Sequence, residues 1–579
     1  MLGVLFIIIS NFFAIFPAQI IRYSFDFVGE SISSYKLLNG FSAQPEFYEI
    51  VTKTLLMLGL VVALSAIIKG LFMFFMRQTI IVMSRLIEYD LKNEIFEHYQ
   101  KLSAAFYKRN NTGDLMNRIS EDVSRVRMYL GPAVMYTINL AALFVMVIFT
   151  MLSVNSTLTF FCLLPMPLLF FMIYYVSHLI NQQGERVQWQ LSNLSTFAQE
   201  TFSGIRVLKA FNREKNSNAF FHNESSDYRG KNLVLAKTEA FFQPLMILLV
   251  GMSTILTIFI GGNLTIEGNV TAGNIAEFVY YVNMLTWPVA MVGWVTSLVQ
   301  RAAASMERIN EFVHTKPEIQ NPASENTEIV GDIEFRNVNF VYPDSGIVAL
   351  KDISFKVSAG ESLAITGKTG SGKSTAANLL CRMYDCTKGE ILIDKKNISE
   401  INLNDLRTSI GYVPQDVFLF SDTIANNISF GLKSDKNFSA IEKAAKNAAI
   451  YSNIMEFPQK FETMIGERGI TLSGGQKQRI SIARALIKSP QILVFDDCLS
   501  AIDTETEDEI LNNLKQIMKG KTTIIISHRI SSIKNAGKII VLDKGYIAEY
   551  GSHADLIDKK GIYYDLHQKQ LLEEEKISA

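Results

Sequence analysis

Gly367 to Thr375 reads G-K-T-G-S-G-K-S-T, which matches the pattern G-x-x-x-x-G-K-[ST] of a phosphate-binding loop, or P-loop. The apolar run Leu363 to Thr366 predicts a short strand that enters the loop, and Lys373 to Cys386 predicts the helix that leaves it. A Gly/Ser-rich turn that matches by chance would not require this strand and helix. The context therefore favours a genuine phosphate site.

The residue types fit the chemistry of a nucleoside triphosphate. Gly367, Gly370 and Gly372 allow a tight backbone turn, so that successive N–H groups and the helix N-terminus point at phosphate oxygens. Lys373 is predicted to neutralise the β and γ phosphates, and the hydroxyl of Ser374 to bind Mg²⁺. The remaining loop residues complete the predicted ATP-binding set, and they are Lys368, Thr369, Ser371 and Thr375.

Charge and cysteine content exclude several other classes. The formal net charge of the 579 residues is −1, so nothing indicates a nucleic-acid partner. The four cysteines form no C-x-x-C pair and no regular framework, so neither a cysteine metal site nor disulfides are predicted.

Apolar residues are concentrated before about residue 305, in runs long enough to cross a bilayer core of ~30 Å. The first run could be a signal peptide, but it lacks a basic start and a small-residue cleavage site, so a first membrane helix is preferred. The six predicted spans are Leu2 to Ile21, Thr54 to Met76, Gly131 to Val154, Leu158 to Ile180, Phe241 to Ile260 and Ile275 to Val299. A polar turn at Asn155 and Ser156 predicts a tight hairpin between the third and fourth spans.

The distribution of basic residues predicts how these spans are oriented in the membrane. The segments 77–127 and 182–237 are rich in Lys and Arg, whereas 153–157 and 261–274 contain neither, although the first loop contains Lys36 and Lys53. The positive-inside rule therefore places the two basic segments in the cytosol. Both segments have helical patterning with few breakers, so we predict that they extend the membrane helices beyond the bilayer.

The predicted fold is an α-helical membrane domain of six transmembrane helices with long cytosolic extensions, followed by an α/β P-loop domain. The predicted boundaries are 1–309 for the membrane domain, 310–331 for a polar linker and 332–579 for the nucleotide-binding domain.

Further motifs follow the P-loop at characteristic spacing. The segment 411–420 reads G-Y-V-P-Q-D-V-F-L-F, 472–476 reads L-S-G-G-Q, and 500–503 reads S-A-I-D. Two buried strands are predicted to end in functional side chains, I-L-V-F-D at 492–496 and I-I-I-S-H at 524–528. Asp496 is a candidate Mg²⁺ ligand through water.

In this order, the motifs resemble those of the ATP-binding cassette (ABC) exporters, specifically bacterial half-transporters with one membrane domain and one cassette. The resemblance covers nearly the whole chain. Asn111 to Val123 and Phe211 to Phe221 resemble the two coupling helices of the family, which contact the nucleotide-binding domains. Gly466 to Gly469, G-E-R-G, resembles a short loop that precedes the signature in exporters.

The resemblance implies roles for individual residues. Tyr342 is similar to the aromatic residue that stacks on adenine, although it could be an ordinary tyrosine at a strand end. Gln415 corresponds to the residue that links Mg²⁺ and the attacking water to the coupling helices, and His528 to a catalytic histidine. The signature residues Ser473, Gly474, Gly475 and Gln476 open a helix that runs to Ile487, whose N-terminus suits a γ-phosphate. In this family they serve the nucleotide held by the other subunit, so a chain with one cassette requires a second half-transporter.

One position departs from the family pattern. The Walker B aspartate is normally followed by a glutamate that acts as general base, but Asp496 is followed by Asp497. Aspartate is shorter by one methylene, about 1.5 Å of reach, and a misplacement of about 1 Å can cost ~100-fold in rate. The pattern predicts a slow site and resembles the weakened subunit of a heterodimer. The alternative is a homodimer in which Asp497 is the base.

A second departure lies at the start, where exporters usually have an interfacial elbow helix but Met1 almost begins the first span. Either the start is assigned late or the subunit lacks the elbow.

The resemblance implies ATP-driven export, with Mg²⁺, by alternating access from the cytoplasmic membrane. Few charges occur within the spans, which favours an amphipathic small molecule, drug or lipid as cargo, and lipid also surrounds the protein. The last span is the best candidate for a cavity wall, although its aromatic residues could equally face lipid. Two rival functions stay open, namely an ATP-gated channel or regulator and a structural subunit that does not turn over its nucleotide.

Overall fold

The computed structural model describes residues 1–322, 326–432, 437–466, 472–498 and 504–578. The chain divides into two compact units. The first contains Met1–His98 and Leu115–Thr315, and the second contains Tyr99–Asp114 and Lys316–Ala579. Each unit has its own apolar core.

The first unit is helical, and its described residues contain six helical segments long and apolar enough to span a membrane. All six predicted spans are confirmed. The segments are Leu2–Leu37, Gln44–Lys101, Thr112–Val154, Ser156–Ser203, Glu214–Ile266 and Ala272–Val313. The second is 58 residues long, about 87 Å at 1.5 Å per residue, far more than a bilayer needs. The predicted helical extensions are therefore confirmed.

Shorter elements make up these segments. The α-helices up to residue 313 are α1 (Leu2–Leu37), α2 (Gln44–Lys101), α3 (Ala104–Arg109), α4 (Thr112–Asn117), α5 (Val123–Met128), α6 (Val134–Val154), α7 (Ser156–Leu163), α8 (Pro165–Ser203), α9 (Ile205–Ala210), α10 (Glu214–Ile266) and α11 (Ala272–Val313). Two π-helical turns, Arg118–Asp122 and Tyr129–Ala133, join α4 to α5 and α5 to α6.

The predicted hairpin between the third and fourth spans is present. Asn155 ends α6 in an extended conformation, and its side chain accepts a hydrogen bond from the N–H of Leu158, in the first turn of α7. A side-chain cap of this kind is worth about 1 kcal/mol. The polar turn therefore allows the chain to reverse within a single residue.

A buried polar cluster joins two helical segments of this unit. Asp122 is 4% exposed, and its carboxylate accepts hydrogen bonds from Ser305, at 2.8 Å, and from Arg308. Because Ser305 and Arg308 both lie on α11, these bonds tie the last helix to the π-helical turn before α5.

The second unit contains two sheets. The described strands are β1 (Ile333–Val341), β2 (Val348–Val357), β3 (Ser362–Gly367), β4 (Lys388–Ile393), β5 (Lys396–Asn397), β6 (Ile410–Val413), β7 (Ile492–Asp496), β8 (Thr522–Ile526), β9 (Lys538–Asp543) and β10 (Tyr546–Gly551). An antiparallel sheet has the order β2-β1-β4-β5. The larger sheet has the order β10-β9-β3-β8-β7-β6, and it is parallel from β9 to β6.

The parallel sheet is buried on both faces, as its continuous apolar runs predict. Every residue of β7 and β8 is buried. β3 lies between β9 and β8, and β8 lies between β3 and β7. Since parallel strands end at the same edge, the residues that follow β3, β7 and β8 lie side by side.

The helices of the second unit beyond residue 316 are α12 (Lys373–Leu380), α13 (Leu403–Ser409), α14 (Ile424–Ser429), α15 (Phe438–Asn447), α16 (Tyr451–Glu456), α17 (Gly474–Leu486), α18 (Thr504–Ile517), α19 (Ile530–Ile533), α20 (His553–Asp558) and α21 (Ile562–Ser578), with 3₁₀ turns at Ile398–Glu400 and Lys460–Glu462. The helix predicted for Lys373 to Cys386 is too long. It ends at Leu380 because Arg382 has a left-handed φ of 46°, which a continuing α-helix does not permit.

Candidate nucleotide site

The P-loop leaves the carboxyl end of β3 and enters α12, so the predicted strand, loop and helix are present. Gly367 and Gly372 have φ values of 141° and 101°, in the region that favours glycine. A Cβ atom on Gly372 would lie 2.4 Å from the carbonyl oxygen of Ala349. The loop therefore packs against β2 at a distance that only glycine allows.

Lys373 is the central cation of the loop. Its side chain is 5% exposed, and Nζ donates hydrogen bonds to the carbonyl oxygens of Gly367 and Lys368, each at 2.9 Å. Burial lowers the Lys373 pKa to about 8, although Asp497 and Asp496 act in the opposite direction. Burial leaves this ammonium short of compensating negative charge, so the site suits a polyphosphate.

We expect nucleotide binding to take up protons at this lysine. Only the ammonium form attracts phosphate, so a bound nucleotide raises the Lys373 pKa above its free value of about 8. Proton uptake should peak above pH 8, between the free and the bound pKa, and the apparent affinity should fall as the pH rises through that range. Calorimetry in buffers of different ionisation enthalpy measures this uptake.

Lys373→Arg is the control, because arginine stays protonated throughout this pH range. Uptake that persists unchanged in the arginine variant would assign the proton to another group.

Ser374 and Asp496 form the predicted metal position. The Ser374 hydroxyl donates to Oδ1 of Asp496 at 2.9 Å, which joins the start of α12 to the end of β7. Asp496 is 2% exposed, and its pKa is raised, chiefly by burial and further by the neighbouring carboxylate of Asp497. Two adjacent buried carboxyl groups and a hydroxyl form an oxygen-rich set that suits Mg²⁺.

Asp497 and His528 follow neighbouring strands. The N–H of Asp497 donates to the carbonyl oxygen of Ile526 at 2.8 Å, and its φ of 46° is one that aspartate tolerates better than most residues. His528 comes two residues after β8, not at its end as predicted. The His528 pKa is lowered, first by burial and then by Lys373, while Asp497 opposes that shift. The charges of Asp496 and Asp497 therefore act on Lys373, and those of Lys373 and Asp497 act on His528.

Tyr342 follows β1 and lies beside the helix that leaves the loop. Its hydroxyl is 3.0 Å from Oγ1 of Thr375, and its ring lies 5.6 Å from that of Tyr384, edge to face. Nζ of Lys108 lies 4.7 Å from the centre of the Tyr342 ring. The motifs did not single out Tyr384 or Lys108, because each reaches Tyr342 only through tertiary packing.

Lys108 belongs to α3, which the chain inserts between two membrane segments but which packs in the second unit. Ala105, in the same helix, is 1% exposed within the apolar core of that unit, and Ser103 donates to Glu318 at 3.3 Å. From Leu115 onward, the chain belongs to the first unit. Residues 99–114 therefore belong to the cassette unit, and they include the first four residues of the predicted coupling segment Asn111 to Val123.

The remaining predicted residues of the loop and of the 411–420 motif differ in how far their side chains are exposed. The side chains of Lys368, Thr369 and Gln415 are exposed. Within the described residues, no hydrogen bond links Gln415 to the P-loop. Ser371 is the buried serine of the loop, and its Oγ has no hydrogen-bond partner in the described part of the chain.

The signature residues open α17 as predicted. Oγ of Ser473 accepts from the N–H of Gln476 at 3.3 Å, and Oε1 of Gln476 accepts from the N–H of Ser473 at 3.0 Å. This reciprocal cap leaves the N–H groups of Gly474 and Gly475 at the helix start. The S-A-I-D motif and most of G-E-R-G lie outside the described residues.

Comparisons with known proteins agree with this geometry. Residues 1–289 match the ABC transporter transmembrane region, and residues 350–500 match the ABC transporter domain. The probable multidrug resistance ABC transporter ATP-binding/permease protein YheI of Bacillus subtilis (strain 168) is 37% identical over 492 residues, which are 84% of each chain. The ATP-dependent lipid A-core flippase of Syntrophus aciditrophicus (strain SB) is 36% identical over 517 residues, 89% of this chain and 86% of that protein.

A solved structure shares the whole fold. It is that of a bacterial Atm1-family ABC exporter with ATP bound, with a TM-score of 0.78, 28% identity and coverage of 98% of both chains. This likeness, the six spans and the cassette indicate a multi-pass inner-membrane protein with its nucleotide-binding domain in the cytosol. The chain belongs to the ABC transporter family, as an exporter-type half-transporter whose cassette binds ATP and couples its hydrolysis to export.

Proposed function

We propose that this chain exports or flips an amphipathic small molecule, drug or lipid by alternating access, and that it does so as the weakened subunit of a heterodimer. The observation that supports a heterodimer is the aspartate at position 497. It stands where the family has a glutamate base, while the residues around it, Lys373, Ser374, Asp496 and His528, keep the family pattern. The two relatives named above, a multidrug resistance protein and a lipid A-core flippase, support the cargo class.

In the proposed site, Lys373 and the loop N–H groups bind the phosphates, and Ser374 and Asp496 hold Mg²⁺. Mg²⁺ would neutralise phosphate charge. Tyr342 provides the surface for adenine, and Gln415 reaches the metal only after the cassettes close. Ser473, Gly474, Gly475 and Gln476 serve the nucleotide of the partner. Their capped helix start supports that role, because its N–H groups remain available to an anion.

The intact signature and the altered base act in different sites of the dimer. The altered Asp497 slows the site built on this chain's own P-loop, and the signature completes the site built on the partner's P-loop. A partner with a glutamate after its Walker B aspartate then supplies the active site. A homodimer in which Asp497 is the base is the second candidate, since aspartate can also accept a proton.

A small cavity in the membrane unit supports the proposed cargo. Its volume is about 110 Å³, and it lies between α8 and α11, lined by Phe170, Ile173, Tyr174, Ser177, His178, Asn181, Val292, Gly293, Thr296, Ser297 and Gln300. The lining combines aromatic rings with hydroxyl, amide and imidazole groups and contains no carboxylate or ammonium. Such a mixture suits an amphipathic group with few charges, and at this volume the cavity holds only part of a drug-sized molecule.

Transport by the dimer in sealed vesicles tests this proposal. We expect ATP-dependent movement of fluorescent amphipathic dyes or labelled lipids, and loss of transport when Gly293→Leu fills the cavity, where a Cβ atom alone would lie 2.8 Å from Oγ of Ser177. Gly184→Leu is the matched control, because nothing lies within 4 Å of its Cβ position. ATP hydrolysis without movement of any member of a broad panel, or ATP-dependent ion conductance, would favour a regulator or channel instead.

A further inference from the structure

The C-terminal helix contacts the backbone that immediately follows the proposed catalytic histidine. Gln570, on α21, donates a hydrogen bond from Nε2 to the carbonyl oxygen of His528 at 2.6 Å. Its Oε1 accepts from the N–H of Ile530 at 2.8 Å. One carboxamide therefore holds two backbone groups of the segment that connects β8 to α19.

The opposite side of this segment is held by the central sheet. The N–H of Ser527 donates to the carbonyl oxygen of Ile365, on β3, at 3.2 Å, and Oγ of Ser527 accepts from the N–H of Arg529. His528 thus lies between a strand that leads into the P-loop and a side chain from the last helix. The His528 imidazole also forms a hydrogen bond with the backbone of Gly367. Gln570 therefore acts on the imidazole by holding the main chain that carries it.

The helix that carries Gln570 is itself anchored. Tyr563 is fully buried, its hydroxyl lies 2.8 Å from Nδ1 of His553, and its N–H donates to Glu549. Tyr563 and Gln570 are seven residues apart, about two helical turns, so they lie on the same face of α21. The anchor at the first turn therefore sets the position of the carboxamide two turns later.

The amide side chain of Gln570 satisfies both backbone groups at this position. A carbonyl oxygen needs a donor and an N–H needs an acceptor, and the two groups of glutamine supply one of each. Glutamate keeps the acceptor but loses the donor, and alanine loses both. Each buried backbone group left without its partner is unfavourable, so the segment is expected to shift when Gln570 is replaced.

We propose that Gln570 is a positioning residue for His528, and that the C-terminal helix thereby controls the rate of ATP hydrolysis at the site built on this P-loop. This inference rests on the proposed role of His528. It is independent of which cargo is transported.

The test uses the full-length chain in lipid with Asp497→Glu as the background, because the restored base makes the rate of this site measurable. In that background, His528→Ala is expected to lower kcat on the order of 100-fold, and Gln570→Ala and Gln570→Glu about tenfold, with KM for ATP unchanged. Gln568→Ala, on the same helix, is the control and should retain the rate.

The double variant separates positioning from stability. If Gln570 acts through His528, Gln570→Ala adds no further loss to His528→Ala. An equal loss in both backgrounds, or a full rate in Gln570→Ala, would overturn the inference while leaving the role of His528 intact. A full rate in His528→Ala would remove that proposed role and this inference with it.

Discussion

Replacing Asp497 by glutamate is expected to raise the ATPase rate of this chain alone, reconstituted in lipid, on the order of 100-fold. Asp497 occupies the position that follows the Walker B aspartate, and its carboxyl group lies about 1.5 Å short of the place that a glutamate reaches. Its backbone N–H is fixed to Ile526, so the main chain does not move to close that gap. Steady-state phosphate release measures the effect.

The left-handed φ of Asp497 gives this substitution a cost in stability. Glutamate adopts this conformation less readily than aspartate, at a cost of about 1 kcal/mol. Because the strand that precedes this residue is buried throughout, the backbone is held in this conformation. The cost therefore lowers the free energy of unfolding. We therefore expect a lower melting temperature together with the higher rate.

Asp497→Asn is the control that separates the two assemblies. In the proposed heterodimer, the wild-type chain alone is nearly inactive, and the asparagine variant is indistinguishable from it. A robust wild-type rate that asparagine abolishes would show that Asp497 is the base of a homodimer.

Gly372→Ala is expected to weaken ATP binding by about 100-fold or more. The new Cβ would lie 2.4 Å from the carbonyl oxygen of Ala349 and 2.8 Å from Cδ2 of Leu350, and the φ of 101° would become strained. Overpacking and backbone strain each cost about 1–3 kcal/mol, and about 1.4 kcal/mol is a factor of ten in affinity. The loop must move away from β2 to relieve both, which turns its N–H groups from the phosphates.

Gly370→Ala is the matched control within the same loop. Gly370 also has a left-handed φ, of 80°, but nothing lies within 4 Å of its Cβ position. We expect less than about tenfold loss of affinity, from strain alone. Titration with a fluorescent ATP analogue measures both variants, and equal losses would show that the contact with Ala349 does not determine the loop conformation.

Local patterns predicted most of the elements that hold the nucleotide. β7 has the predicted bounds because a run of consecutive apolar residues ends in a carboxylate, and α17 begins where Ser473 and Gln476 can cap each other. The end of α12 was missed, since the left-handed φ of Arg382 has no signal in the sequence. Arginine rarely adopts that conformation.

Contacts between residues far apart in the chain could not be predicted from the sequence patterns. Ala105 reads as part of an amphipathic extension, and only the fold shows it in the core of the cassette unit. Gln570 and His528 are separated by 42 residues, and neither the helix nor the strand pattern relates them. The sequence thus predicted the chemical groups of the site, while their supporting contacts required the structure.

The composition of the complex tests the central claim most directly. Native mass spectrometry of the dimer, extracted in lipid from cells that express the chain at its natural level, counts the copies of each subunit. We predict one copy of this chain together with one different half-transporter, which carries a glutamate after its Walker B aspartate. A complex of two copies of this chain would contradict the proposal and make Asp497 a working base.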